Sequence, residues 1–269
     1  MELDMTKGSP LRLIVKFIIP IILGNLFQQL YNLADTVIVG RFVGVQALAA
    51  VGATGTISFL ILGFLMRLTT GFTVQTAQRF GAGDLEGMKK SVGNAAVLSV
   101  AVTVIMTAVS VLCMDGLLHL MRTPEDIMEM SRTYILIICW GMGCSVLYNL
   151  LSSILRAVGN SRVPLYFLIL SAAINVVGDL VLIINFRMGV AGAAIATVAS
   201  QGISGVLCLI YMIKKVPVLS LRREHFRLDR WCVRNQLSVG IPMALQFSIT
   251  AVGTIMVQAA LNLLGSTVI

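Results

Sequence analysis

Two carboxylates, Asp35 and Asp179, each stand in a stretch that is otherwise apolar and long enough to cross a bilayer, and Asn175 precedes Asp179 by one helical turn. An ionisable side chain at membrane depth is costly, and such residues mark ion or proton pathways. Ser171, Asn175 and Asp179 recur at spacings of four, and Asn25, Gln28, Asn32 and Asp35 at spacings of three and four, so each set shares one helix face. Thr197, Gln201 and Ser204 form a third polar seam. Hydroxyl, amide carbonyl and carboxylate are hard oxygen ligands suited to a small cation, and the carboxylates alone can hold protons instead. Two neighbouring carboxylates in a low dielectric resist double ionisation, whereas a bound Na+ favours the ionised form, so proton and sodium are expected to compete. The blander readings are interhelical hydrogen bonding for the amide stripe and small-residue packing for the third seam.

Those groups need helices to hold them. The chain is 57% hydrophobic and 12% charged, against about a quarter charged in soluble domains, and its mean hydropathy is +0.92, which places it in a membrane. Charge-free runs extend over Phe17–Ala34, Phe42–Met66, Ser91–Met114, Thr133–Leu155, Val163–Gly178, Met188–Ile213 and Asn235–Ile269. At roughly 20 apolar residues per span they predict seven transmembrane helices, the fifth continuing through Asp179 to about Phe186. The first run carries Asn25, Gln28, Gln29 and Asn32 and lacks a small-residue cleavage site, so it reads as a mature helix rather than a signal peptide. Most Lys and Arg fall on the side of the N-terminus, leaving Arg41, Arg122, Arg132 and Arg187 on the other, so the N-terminus is expected to be cytoplasmic.

Other functions have little to stand on. The net charge of +8 sits in membrane-flanking loops without aromatic interleaving, which argues against nucleic acid. Five cysteines, Cys113, Cys139, Cys144, Cys208 and Cys232, form no CxxC pair, and His119 and His225 have no partners at metal spacing. With no zinc, P-loop or nucleophile-elbow motif, neither an enzyme nor a cofactor is expected.

Three landmarks name a family. Ala77-Gln78-Arg79-Phe80-Gly81-Ala82-Gly83-Asp84 after the second span, Ile154 to Pro164 (ILRAVGNSRVP) between the fourth and fifth, and Gly189 to Thr197 (GVAGAAIAT) opening the sixth are similar to signatures of the multidrug and toxic compound extrusion (MATE) transporters. The resemblance covers essentially the whole chain. It implies cation-coupled export of amphipathic, often cationic, compounds through two six-helix lobes in a bacterial or archaeal cell membrane. The Asn175 and Asp179 pair resembles the DinF-type branch, which implies a coupling site for H+ or Na+ at Asp35, Asn175, Asp179 and Thr197. Tyr134 resembles that site's fourth-helix tyrosine, although an aromatic at the outer membrane interface would read the same way. The resemblance links Pro20 to bending of the first helix, and Gln28 and Asn32 are weaker candidates for the substrate cavity.

The expected architecture is all-α: a six-helix amino-terminal lobe over residues 1–213, a basic cytoplasmic linker over 214–234, and the first helix of a second lobe over 235–269. An internal repeat supports this division, since Gly240-Ile241-Pro242 through Leu264-Gly265 resembles Ile18-Ile19-Pro20 through Val43-Gly44, with Val257 opposite Asp35. The chain thus reads as an incomplete transporter that awaits a second lobe or associates with itself. Two alternatives to drug export stay open: a lipid-linked saccharide flippase of the same superfamily, hinted at only by Arg67, and an inactive or partner-dependent membrane component. Arg67 is expected to snorkel out of the second span rather than pair with Asp35.

Overall fold

The computed structural model describes residues 9–121 and 123–263, with the backbone alone at Pro10, at Leu120 and beyond Gly253. Arg122 and the Leu264–Gly265 end of the repeat fall outside them, as does the side chain of Val257. Eight α-helices run Pro10–Phe42 (α1), Val45–Gly81 (α2), Leu85–Leu120 (α3), Glu125–Trp140 (α4), Met142–Ala157 (α5), Arg162–Asp179 (α6), Gly189–Lys215 (α7) and Arg230–Leu263 (α8). Six segments are long and apolar enough to span a membrane singly, and the α4–α5 pair makes a seventh. Local chemistry sets several starts. Pro10 opens α1, where its missing N–H costs nothing. Asp84 caps α3 by accepting the Gly87 N–H at 2.8 Å, and Asp229 caps α8 by accepting the Cys232 N–H at 2.8 Å. Backbone amides, led by that of Cys232, hold the Asp229 carboxyl below the usual carboxylate range.

Two departures from regular helix shape the bundle. The run expected as one span over Thr133–Leu155 is an elbow: α4 and α5 meet at 45° across Gly141. A side chain on Gly141 would collide with Val198 of α7, so this glycine lets α7 press into the elbow. Immediately after Asp179 the chain winds as a π-helix over Leu180–Asn185. Such widened turns recur at functional sites, where the extra residue re-aims the side chains on either side.

The apolar core forms three clusters. Leu68, Phe72, Met88, Leu151, Leu155 and Met212 fill the end that carries the N-terminus. Ile57, Leu65, Met114, Ile135 and Val146 pack together between α2, α3, α4 and α5. Ile38, Val39, Tyr134, Ile138, Ile183, Val190 and Ala193 close the opposite end around α1, α4 and α7. Helix α8 lies along α2, where Gly71 faces Gly240 so closely that a Cβ on Gly71 would overlap the Gly240 backbone. Packing through small residues is the usual means of close helix approach in lipid, where burial from water supplies no driving force.

The basic linker is a docked strap rather than a bare tether. It forms short 3-10 turns at Pro217–Leu219 and Arg223–Phe226 and folds back against α3. Asn94 of α3 holds it twice, its Nδ2 donating to the Arg227 carbonyl at 3.2 Å and its Oδ1 accepting the Asp229 N–H at 2.9 Å. His225 is buried in the strap; its Nδ1 accepts the Arg222 N–H at 2.8 Å and its Nε2 lies 3.2 Å from Glu86 Oε2. Gln236 at the base of α8 donates to the Ser91 carbonyl at 2.8 Å.

Candidate functional site

Helices α1, α6 and α7 converge on a buried polar cluster, with α4 behind it. From α6 come Ser171, Asn175 and Asp179, which form one buried face as their four-residue spacing predicts, Asn175 and Asp179 being fully enclosed. From α7 comes Thr197 and from α1 come Tyr31 and Asp35, all half-buried.

The hydrogen bonds run in one direction. With the Asn175 amide turned to suit its neighbours, its Nδ2 donates to Asp179 Oδ2 at 3.0 Å and its Oδ1 accepts from Thr197 Oγ1 at 3.3 Å. Thr197 Oγ1 in turn accepts from the Tyr31 hydroxyl at 3.4 Å. The carboxyl groups of Asp179 and Asp35 lie close enough to act on each other electrostatically. Two carboxyls so placed in a low dielectric are expected to titrate together. One oxygen on each, Asp35 Oδ1 and Asp179 Oδ1, is buried and has no partner among the described residues. Since a buried acceptor without a donor costs about 1–3 kcal/mol, the cluster is suited to a proton or a small cation that satisfies both oxygens. The donor set of two carboxylates, one amide oxygen and one hydroxyl fits Na+ as well as H+. No group of three or more His, Cys, Asp or Glu gathers among the described residues in the manner of a transition-metal centre.

Each sequence-derived candidate has a definite place. Asp35, Asn175, Asp179 and Thr197 come together. Tyr134 is buried on α4 within electrostatic range of Asp35, Tyr31 and Asp179, inside the bundle rather than at a lipid-facing belt. Pro20 is buried within α1, one turn before Gly24, whose open side faces Leu165 and Leu168 of α6. Asn25, Gln28 and Asn32 are exposed along α1, on a face that the described residues leave uncovered. Arg67 stays apart from Asp35: it is exposed, with its guanidinium 5.7 Å from the Phe247 ring of α8.

Tyr31 is the member that sequence reasoning missed. It follows Gln28 by three residues and precedes Asp35 by four, so the spacing that singled out the amides of α1 was available for it too.

Comparison with known proteins identifies the family. The family model described as MatE matches residues 20–181. The chain is 32% identical over 268 residues to the probable multidrug resistance protein YpnP of Bacillus subtilis, covering 99% of this chain and 59% of that protein. It is 30% identical over 202 residues to the DNA damage-inducible protein F of Escherichia coli, covering 74% of this chain and 43% of that one. Among solved structures, an outward-facing multidrug resistance MATE family transporter of the MOP superfamily superposes with a TM-score of 0.84 at 28% identity, over 89% of this chain and 53% of that chain. The chain therefore spans about half the length of the relatives it matches. Its helices, its membrane character and its matched segment make it a member of the MATE family of membrane transporters.

Proposed function

We propose that this chain supplies the ion-coupling lobe of a secondary antiporter that exports amphipathic, often cationic, compounds in exchange for H+ or Na+, with its N-terminus in the cytoplasm. The observation that carries the reading is the directed chain Tyr31, Thr197, Asn175, Asp179, which ends on the apposed Asp35 carboxyl and leaves two buried acceptors unfilled. In this reading the external ion loads at Asp35, Asn175, Asp179 and Thr197, neutralises the carboxyl pair and weakens the hold on a cationic substrate. Tyr134 closes the site from α4. The exposed Gln28 and Asn32 border the space in which substrate is held, and bending near Pro20 transmits ion loading along α1.

The placement of Arg67 over Phe247 lends no support to a basic saccharide-binding cavity. The division into a lobe (1–213), a linker (214–234) and the first helix of a second lobe (235–269) belongs to the same proposal, with completion by a second lobe or by self-association. The test is efflux of a fluorescent cationic dye from vesicles containing the chain under an imposed pH or sodium gradient, wild type against Asp179→Asn. Gradient-dependent flux that Asp179→Asn abolishes, with its unfolding midpoint preserved, is the expected result. If the variant still pumps against the gradient, the site assignment fails; absence of flux from well-folded wild type assigns the chain to the partner-dependent reading.

A further inference from the structure

The joint between α8 and the rest of the bundle holds a second buried polar cluster, separate from the one around Asp35 and Asp179. Two contacts fix the register of α2 against α8: Gly71 lies against Gly240, and Arg79 Nη2 lies 3.6 Å from Cys232 Sγ. The two helices are therefore antiparallel here, and Gln75 and Gln236 each stand midway between those contacts, one turn from either, on the facing sides. Both amides are buried by the chain itself, Gln236 completely.

The hydrogen bonds of this cluster leave a definite remainder. Gln236 Nε2 donates to the Ser91 carbonyl at 2.8 Å and to Ser91 Oγ at 3.2 Å, which uses both of its hydrogens and fixes Oε1 on the far side of the amide. Ser91 Oγ and Thr76 Oγ1, 3.0 Å apart, share one hydrogen bond. Three atoms are then buried without a partner among the described residues: Gln236 Oε1, Gln75 Oε1 and Gln75 Nε2. Turned either way, the Gln75 amide presents one oxygen and one NH2 group, so the remainder is two acceptors and one donor group in both orientations. Buried polar atoms of this kind call for a partner, because taking them out of water without one is costly.

We infer that Gln75 and Gln236 bind one ordered water between α2 and α8, which donates to the two amide oxygens and accepts from Gln75 Nε2. Water is the ligand that matches the remainder: it supplies two donors and an acceptor from one small volume, and about three hydrogen bonds is what a buried water makes. A direct bond from Gln75 Nε2 to Gln236 Oε1 would leave Gln75 Oε1 orphaned. A metal cation could use the oxygens but would face the Nε2 hydrogens, and Asp179, the one fully buried carboxylate among the described residues, belongs to the other cluster. The water makes the base of α8 part of a three-helix joint, linking Gln75 of α2 to Gln236 and, through Gln236, to Ser91 of α3.

The experiment is solid-state NMR of the 269-residue chain in lipid bilayers, with nitrogen-15 in the glutamine side chains and magnetisation transferred from water protons. The Gln75 and Gln236 side-chain amides, assigned by the resonance that each Gln→Met variant removes, are both expected to receive magnetisation from water in wild type. In Gln75→Met, which keeps the length of the side chain and removes its polar atoms, the transfer to Gln236 should be lost. Thr76→Val removes a hydroxyl that bonds to Ser91 rather than to the water, and should leave both transfers in place; circular dichroism and a thermal midpoint confirm that the variants are folded. Absence of transfer to Gln75 in folded wild type overturns the proposal, since the two amides would then be dry and bonded to each other. Transfer to Gln236 that survives Gln75→Met overturns it as well, because the water would not be shared. So does an equal loss in Thr76→Val, which would mean that the signal reports the packing of the joint rather than a site built by the two amides.

Discussion

Asp179 accepts from the Asn175 amide, and the Asp35 carboxyl is near enough to act on it. In the proposed site the two carboxyls are expected to titrate jointly, so replacing either is expected to disable the coupling. Tyr31 acts one step removed, fixing the Thr197 hydroxyl so that it donates toward Asn175. Tyr31→Phe is expected to leave the fold intact and weaken Na+ or H+ binding about threefold to tenfold, the worth of one hydrogen bond of about 1 kcal/mol. Sodium titration of intrinsic fluorescence would read this, and an unchanged affinity would remove Tyr31 from the site. Asp35, Asn175 and Asp179 were legible because polar residues in an apolar helix cost too much to be incidental, whereas joining them with Thr197 in one proposed coupling site rested on the family resemblance. Tyr31 was not singled out, since one tyrosine in an apolar run reads as packing until the facing helix brings Thr197 against it.

At the scale of elements, charge-free runs of about 20 residues announced the helices, because each backbone polar group in lipid must be satisfied within its own segment. The elbow at Gly141 was hidden for the same reason: nothing interrupts the run, and only the approach of Val198 from α7 explains the glycine. The docking of the strap was equally invisible, since Asn94 and Arg227, or Ser91 and Gln236, are far apart in sequence and no local spacing links them. Asn94→Ala removes both bonds to the strap and is expected to speed amide hydrogen exchange across residues 217–229 by at least about tenfold, with α5 and α7 unaffected. Unchanged exchange there would mean that His225 and Gln236 hold the strap without Asn94. Close approach of α2 and α8 gives a second expectation. Gly71→Ala pushes a methyl into the Gly240 backbone and should cost about 1–3 kcal/mol, whereas Gly52→Ala, which meets nothing, should be neutral or slightly stabilising. Thermal midpoints of the two variants, compared with wild type, separate packing from helix propensity.

For the molecule as a whole, the uncovered faces are as informative as the buried ones. Asn25, Gln28 and Asn32 lie exposed along α1, and the outer face of α8 is exposed from Arg230 onward. A bundle surrounded only by lipid would not leave three amides of one helix face outside its packing, and the MATE relatives extend well beyond the part matched here. The strap and the base of α8 are tied to α3, so any movement of α8 relative to α3 has to break or carry those bonds. Coupling by this lobe requires that Asp35 and Asp179 bind the ion as a pair. Infrared difference spectroscopy of the reconstituted chain tests that requirement most directly, by following protonated carboxyl groups as pH is raised or Na+ is added. A paired site gives a protonated-carboxyl band that one or both treatments remove in wild type and whose response is absent in Asp179→Asn. A band that responds to neither, or that responds identically in the variant, would contradict it.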